Sequence, residues 1–152
     1  MQTICNYLMH DHKRCDELFM HVETAIAQKD WLQAELAFQR FTEAMLGHLD
    51  SEESVVFPAF EKALPDAATP IAMLRMEHQR IKGIVARMED ALCRQDHCDL
   101  IMHAETFTIL MQQHTMKEED MLYPLLDRIL QGNTQHIVSA LHDAIESHTA
   151  IQ

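Results

Sequence analysis

Histidine is the residue type with the most unusual distribution in this sequence. Eleven histidines occur in 152 residues, and the pairs His48 with Glu52 and His114 with Glu118 share one four-residue spacing. In a helix this spacing is about one turn, so both side chains of a pair project from the same face. An imidazole nitrogen and a carboxylate oxygen together suit a borderline divalent ion such as iron. Each pair is therefore a candidate bidentate metal clamp.

The two clamps belong to an internal repeat with an offset of 66 residues. His12 maps onto His78 by the same offset, so each half of the chain supplies one isolated histidine and one clamp. Further matches are Asp30 with Asp96, Phe41 with Phe107, Met45 with Met111, Glu53 with Glu119, and Phe57-Pro58 with Tyr123-Pro124. Two matching helical hairpins, packed about a pseudo-twofold axis, would form a four-helix bundle, which builds metal sites from side chains on facing helices.

The six repeated polar residues are expected to lie on the apolar faces of their helices. A single histidine on such a face is more often a hydrogen-bonded core residue than a ligand. Two glutamates buried without cations would cost several kcal/mol each, which makes ligation the better explanation for the set. The predicted metal ligands are His12, His48, Glu52, His78, His114 and Glu118. Spacing alone leaves iron, manganese and zinc open, although this ligand set disfavours a structural zinc site.

Five stretches show the three- and four-residue spacing of apolar side chains that is typical of amphipathic helices. The first runs from Ile4 to Ile26, the second follows a cap at Asp30, the third runs from Leu74 to Leu92, and the fourth runs from about Asp96 to Leu130. The same spacing places four residues inward beyond the two clamps: Val55, Ala59, Met121 and Leu125.

Proline and glycine predict the ends of these helices. Pro58 predicts a kink just after the first clamp, and Pro65 follows a helix end. Thr69-Pro70 is interpreted as a cap and first helical position, and Gly132 as a C-terminal cap. A short extra helix at about residues 134–149 would dock on the side of the bundle or on a second subunit, so a homodimer is possible.

Composition supports one all-α domain over residues 1–152, with the bundle at about residues 3–131. Three glycines and four prolines are too few for the turns of a β-sandwich or a doubly wound sheet. The formal charge of −12 makes nucleic acid and anionic membranes poor partners. The N-terminus shows no basic segment followed by an apolar run, and the four cysteines lack structural-metal spacing, so we expect a reduced, cytoplasmic protein.

Several histidines and one cysteine need separate treatment. Cys15 stands three residues after His12 and is predicted to face the bundle interior near the site. Seven histidines fall off the ligand stripes and are predicted at the surface, at the rim or at a helix connection: His10, His21, His97, His103, His136, His142 and His148.

These residues together resemble the hemerythrin-like, or HHE cation-binding, domain family. The resemblance covers residues from about 5 to 130 and includes Glu77-His78 and the Phe-Pro and Tyr-Pro pairs after the clamps. It implies an up-down four-helix bundle around a non-haem site of two iron ions. His12 and His48 would hold one iron, His78 and His114 the other, and Glu52, Glu118 and an oxo or hydroxo group would bridge them.

The sequence departs from the oxygen-carrying hemerythrins at two points. Those proteins place two histidines one turn apart on the third helix, whereas Leu74 and Lys82 stand one turn from His78 here. Their second bridging acid is an aspartate five residues after its histidine, whereas here Glu118 follows at four. The pattern is more similar to bacterial iron-centre repair proteins, mycobacterial HHE proteins and the hemerythrin-like sensor of an F-box protein.

The resemblance favours a di-iron protein that binds or reacts with oxygen, nitric oxide or peroxide in a redox, detoxification or sensing role. Such a protein would work with a redox partner. The alternative is a module that donates iron to an apo iron protein for repair of damaged iron centres, without catalytic turnover. A third possibility is that the metal serves mainly to fold the bundle. Whether the protein is an enzyme stays open.

Overall fold

The computed structural model describes residues 2–149, and every regular element in that range is helical. The α-helices are α1 Ile4–Ala27, α2 Trp31–Ser51, α3 Phe57–Ala63, α4 Ala68–Cys93, α5 His97–Lys117, α6 Tyr123–Ile129 and α7 Thr134–Thr149. A π-helical turn at Glu52–Val56 joins α2 to α3, and another at Glu118–Leu122 joins α5 to α6. The predicted all-α, up-down four-helix bundle with an extra C-terminal helix is confirmed.

The two hairpin turns of the bundle are built alike, which shows the sequence repeat in the backbone. Asp30 caps α2 by accepting a hydrogen bond from the backbone N–H of Gln33, and Asp96 caps α5 in the same way from Asp99. The residue before each cap has a φ of 53°, a left-handed conformation that is uncommon outside glycine. The 66-residue offset is therefore a repeat of structure as well as of sequence.

The core consists of two apolar clusters at different levels along the bundle. The first, near the hairpin turns, includes Phe19, Phe41 and Phe107. The second, toward the opposite end, includes Leu8 and Leu126. On each bundle helix the predicted site residues come between members of the two clusters, so the polar side chains are enclosed by apolar ones.

The π-helical turn after the first clamp changes the register of the buried stripe. The backbone N–H of Phe57 donates to the carbonyl of Glu52, five residues earlier, so the turn contains one extra residue. Pro58 follows at once, at the start of α3. Val56 and Phe57 are fully buried, whereas Val55 is only half-buried. The predicted stripe through Val55 and Ala59 is therefore wrong by one residue, since both side chains are half-buried and pack against the second cluster rather than inside it.

The second π-helical turn produces the same change in the other half. The N–H of Tyr123 donates to the carbonyl of Glu118. Leu122 and Tyr123 face the core, whereas Met121 is 68% exposed and Leu125 is 37% exposed. The inward positions predicted for Met121 and Leu125 are therefore wrong as well.

Two predicted helix boundaries also differ from the structure. α4 begins at Ala68, after a 3-10 turn over Pro65–Ala67, so Thr69 lies inside the helix and does not cap it. Gly132 lies in the 3-10 turn Gln131–Asn133 and does not have a positive φ. The short hydrogen bonds of this 3-10 turn end α6, so a glycine with a positive φ is not needed as a cap.

Helix α7 packs on the side of the bundle, against α2. Ile137, Leu141 and Ile145 are buried, and their spacing places them on one face of the helix. The two helices approach closely at Gly47, where an added Cβ would lie 3.3 Å from the Cβ of His148. The apolar stripe of α7 is therefore covered within the same chain.

Candidate metal centre

The six predicted ligands come together at one level of the bundle. Each glutamate is the first residue of a π-helical turn, one helical turn after its histidine. All six side chains are buried, with at most 3% exposure: His12 on α1, His48 and Glu52 at the end of α2, His78 on α4, and His114 and Glu118 at the end of α5. Their role as metal ligands stays a prediction, but their proximity is a property of the fold.

The donor atoms form two groups that share both glutamates. In each group, one atom from every residue lies within 4.8 Å of the others. The first group is His12, His48, Glu52 and Glu118, and the second is Glu52, His78, His114 and Glu118. This division matches the pairing of histidines that the family resemblance implies.

Glu118 reaches both groups with different oxygen atoms. Its Oε1 lies 3.2 Å from Nε2 of His12, and its Oε2 lies 3.2 Å from Nε2 of His114. Glu52 instead places a single oxygen between the groups, since its Oε1 lies 3.5 Å from Nε2 of His48 and 3.3 Å from Nε2 of His78. Each carboxylate therefore lies within reach of both donor groups.

Several of these buried atoms have no hydrogen-bond partner among residues 2–149. They are Nε2 of His48, His78 and His114, Oε1 of Glu52 and Oε2 of Glu118. A buried polar atom without a partner costs about 1–3 kcal/mol, and a charged one costs more. Because these atoms all face the same centre, bound cations would satisfy them together, and the residues fit two metal ions.

Carboxylates also hold the outer nitrogens of the histidines. Asp11 Oδ2 lies 2.7 Å from Nδ1 of His48, and Glu77 Oε1 lies 2.7 Å from Nδ1 of His114. When Nδ1–H donates to such a carboxylate, the lone pair of Nε2 points toward the centre, which is the arrangement typical of metal-binding histidines. The two acids are related by the same 66-residue offset, which is the sequence signal that could have identified them.

The other two histidines follow a similar but looser scheme. Glu119 Oε2 lies 3.0 Å from Nδ1 of His12, so this acid contacts a site residue from the side away from the centre. Glu53 is 3.7 Å from Nδ1 of His78, too far for a hydrogen bond, and instead accepts from Lys82 Nζ at 2.9 Å. The two halves are therefore alike in design and different in detail.

Comparison with known proteins agrees with this geometry. The family model described as "Hemerythrin HHE cation binding domain" matches residues 3–126. The chain belongs to the hemerythrin HHE cation-binding family. An uncharacterized hemerythrin-like protein of Schizosaccharomyces pombe is 25% identical over 142 residues, which cover 92% of this chain and 68% of that protein. No solved structure matches the chain.

The described part of this hemerythrin-like chain contains no helix that is long and apolar enough to cross a membrane. Family membership and the two groups of buried donors both indicate a metal-binding domain.

Tyr123 is a residue of the hemerythrin-like site that the sequence analysis missed. Its Oη lies 2.7 Å from Oε2 of Glu52, 3.1 Å from Oε1 of Glu118 and 3.0 Å from Nε2 of His12. The α-helical period placed its neighbour Met121 inward instead, because it takes no account of the extra residue in the π-helical turn. The repeat supplied a signal, since Tyr123 corresponds to Phe57.

The charges of the buried cluster stabilise one another in the metal-free chain. Burial disfavours the imidazolium form of His12 and His78, but the nearby carboxylates of Glu118 and Glu52 outweigh it and raise the pKa of each histidine to about 9. Burial opposes ionisation of Glu118, yet its three histidine contacts hold its pKa well below the usual value. Protons therefore take the place of cations when no metal is bound.

Cys15 is buried, as predicted, in this hemerythrin-like bundle. Burial raises the pKa of its thiol, and the negative charge of Asp11 raises it further. The thiol is therefore protonated at neutral pH, which disfavours a role as a thiolate ligand. The remaining histidines lie outside both donor groups: His10, His21, His136 and His142 are exposed, and His97, His103 and His148 are half-buried.

Proposed function

We propose that this protein holds two iron ions and uses them to bind or react with oxygen, nitric oxide or peroxide, in a redox, detoxification or sensing role. The observation that carries the proposal is the pair of buried donor groups that share Glu52 and Glu118. A single structural ion would leave several of these buried donors unsatisfied. Two iron ions bound there would supply one- and two-electron redox chemistry to small oxidants.

The residues assigned to each ion follow from the donor groups. His12 and His48 would hold the first ion, His78 and His114 the second, and the two glutamates would bridge both. Four imidazole nitrogens with two carboxylates are a ligand set that suits iron. The matching halves of the bundle provide one such half-site each.

The protein itself contributes orientation and the exclusion of water. The carboxylates of Asp11 and Glu77 hold the rings of His48 and His114 with Nε2 toward the centre. The apolar clusters above and below the site keep bulk water from the donor atoms. A buried, dry site of this kind limits solvent access and tunes the redox potential of bound iron.

Reaction is favoured over oxygen storage because the third bundle helix offers one histidine to the site. Leu74, one turn before His78, is buried in an apolar cluster, and Lys82, one turn after it, pairs with Glu53. Neither residue can serve as an additional imidazole ligand. The second ion is thus assigned fewer protein ligands than an oxygen carrier would give it.

The test is anaerobic reconstitution with ferrous iron, followed by titration with oxygen and with nitric oxide under absorption and Mössbauer spectroscopy. We expect two iron ions per chain and spectra of a coupled pair that change with either gas. His48→Ala should lower the iron content, whereas His21→Ala, which changes an exposed histidine, should not. One ion or fewer per wild-type chain would contradict the proposal.

A transfer assay separates this function from iron donation. The loaded protein is mixed with an apo iron protein after one or several cycles of oxidation and reduction. Iron retained through the cycles supports a reactive centre. Rapid loss of iron to the acceptor, faster from the reduced state, would instead assign the iron-donating role.

A further inference from the structure

Tyr123 and Phe57 occupy equivalent places in the two halves of the site. Each ring is fully buried and directly follows a π-helical turn. The ring centroid of Tyr123 lies 5.4 Å from that of His12, and that of Phe57 lies 5.2 Å from that of His78, with an interplanar angle of 36° in both pairs. The positions of the rings obey the pseudo-symmetry, and the phenolic hydroxyl breaks it.

The hydroxyl lies at the spacing of a metal ligand from its neighbours. An octahedral ion with bonds of about 2.1 Å holds adjacent donors about 3.0 Å apart. Tyr123 Oη is 3.0 Å from His12 Nε2, 2.7 Å from Glu52 Oε2 and 3.1 Å from Glu118 Oε1. Two of these neighbours are the shared glutamates, and the third, His12, belongs to the first donor group alone, so the phenol oxygen lies on the side of that group.

We infer that Tyr123 is a fifth protein ligand, through Oη, of the ion held by His12 and His48. The inference rests on the proposed function, because it requires an ion at that position. Coordination replaces the O–H bond by an O–metal bond, the proton passes to the buffer, and no electron moves.

The ion held by His78 and His114 has no such ligand, since Phe57 stands at the equivalent place. The second ion would therefore have one protein ligand fewer than the first, and a small exogenous ligand is expected to bind there.

Visible absorption and resonance Raman spectra of the ferric protein test the tyrosine ligand directly. Wild-type protein should show a phenolate-to-iron charge-transfer band with enhanced tyrosine ring modes. Tyr123→Phe should lose the band completely while keeping two iron ions per chain. The matched control is Tyr7→Phe, which changes the other tyrosine of the sequence and should keep the band.

The reciprocal variant tests the asymmetry. Phe57→Tyr adds a phenol to the second half and should strengthen the band, while blocking the site of exogenous ligands. Azide serves as the probe: we expect one azide per wild-type chain, a second one in Tyr123→Phe, and weaker binding in Phe57→Tyr. Unchanged azide binding in both variants would overturn the assignment of the open position.

The outcomes separate this inference from the proposed function. Wild-type protein with two iron ions and no tyrosine ring modes would overturn the ligand while leaving the di-iron site intact. A chain that takes up no iron would refute the proposed function itself. If Tyr123→Phe does not fold, ring-deuterated tyrosine in the wild-type protein gives the same answer, because ligation requires a shift of the enhanced modes and its absence excludes ligation.

Discussion

Replacing Asp11 by asparagine removes a charge from the site without removing volume. Asp11 is buried on α1, where Oδ2 lies 2.7 Å from Nδ1 of His48 and Oδ1 lies 2.9 Å from Nε of Arg14. Burial opposes its ionisation, but the contacts with His48 and Arg14 lower its pKa, so it is a carboxylate at neutral pH. In Asp11→Asn, His48 would face a neutral amide, which makes its Nε2 a weaker donor to a cation.

The expected loss of metal affinity can be estimated from the strength of this contact. Loss of a carboxylate behind a ligand histidine typically lowers metal affinity about 10- to 100-fold, which corresponds to about 1.4 to 2.7 kcal/mol. The Asp11 contact is short, charge-assisted and buried, so we expect a loss near the upper limit. Glu77 is 17% exposed and also binds Lys117, so Glu77→Gln should give a loss near the lower limit.

Anaerobic competition between the protein and a chelator for ferrous iron measures both affinities. Asp11→Asn should weaken the ion of the first half, and Glu77→Gln the ion of the second. Asp16→Asn is the control, because it removes an exposed carboxylate from the same helix as Asp11. Equal weakening of both ions by Asp11→Asn, or unchanged affinity in a folded variant, would refute the assignment of Asp11 to His48.

Three further predictions concern the ligands, the pH and the extra helix. Glu118→Ala should lower the iron content toward zero, whereas His78→Ala should lower it only toward one ion per chain, because Glu118 reaches both donor groups. Equal losses of iron in the two variants would contradict a bridging role for Glu118. The pKa of His12 and of His78 is raised to about 9, so the metal-free native state binds more protons than the unfolded chain. Urea unfolding should therefore show stability falling from about pH 6.5 to about pH 9, by up to about 1.4 kcal/mol per pH unit for each histidine, and no such fall in the metal-loaded protein. Leu141→Ala should lower the free energy of unfolding by about 2–5 kcal/mol, because Leu141 is fully buried. The control Ser139→Ala, at an exposed position of the same helix, should change that free energy by less than about 0.5 kcal/mol.

The sequence predicts well where helical periodicity is regular. The inward positions of Leu8 and Ile81, far from any interruption, follow from a 3.6-residue period, and both are buried. The cap at Asp30 follows from the preference of aspartate for accepting backbone N–H groups. The placement of the six site residues at one level follows from the repeat, because matched hairpins bring matched positions together.

Helical periodicity fails at the π-helical turns. Their backbone hydrogen bonds join residues five apart, and no residue pattern in the sequence distinguishes such a turn from an α-helical one. Val55 and Met121 were placed inward by extending a 3.6-residue period through a turn that contains one more residue. The same error concealed Tyr123. Gly132 was assigned to a left-handed cap from residue type alone, whereas the structure uses a 3-10 turn there.

The paired π-helical turns also bear on how this chain arose. Both begin at the clamp glutamate and end one residue before an aromatic-proline pair, 66 residues apart. An extra residue in the same register of both halves is most simply explained by one insertion into an ancestral hairpin, followed by duplication of that hairpin. On this account Phe57 and Tyr123 diverged after the duplication, so the ancestral assembly had two identical half-sites, and the phenolic hydroxyl of one half was acquired or lost later.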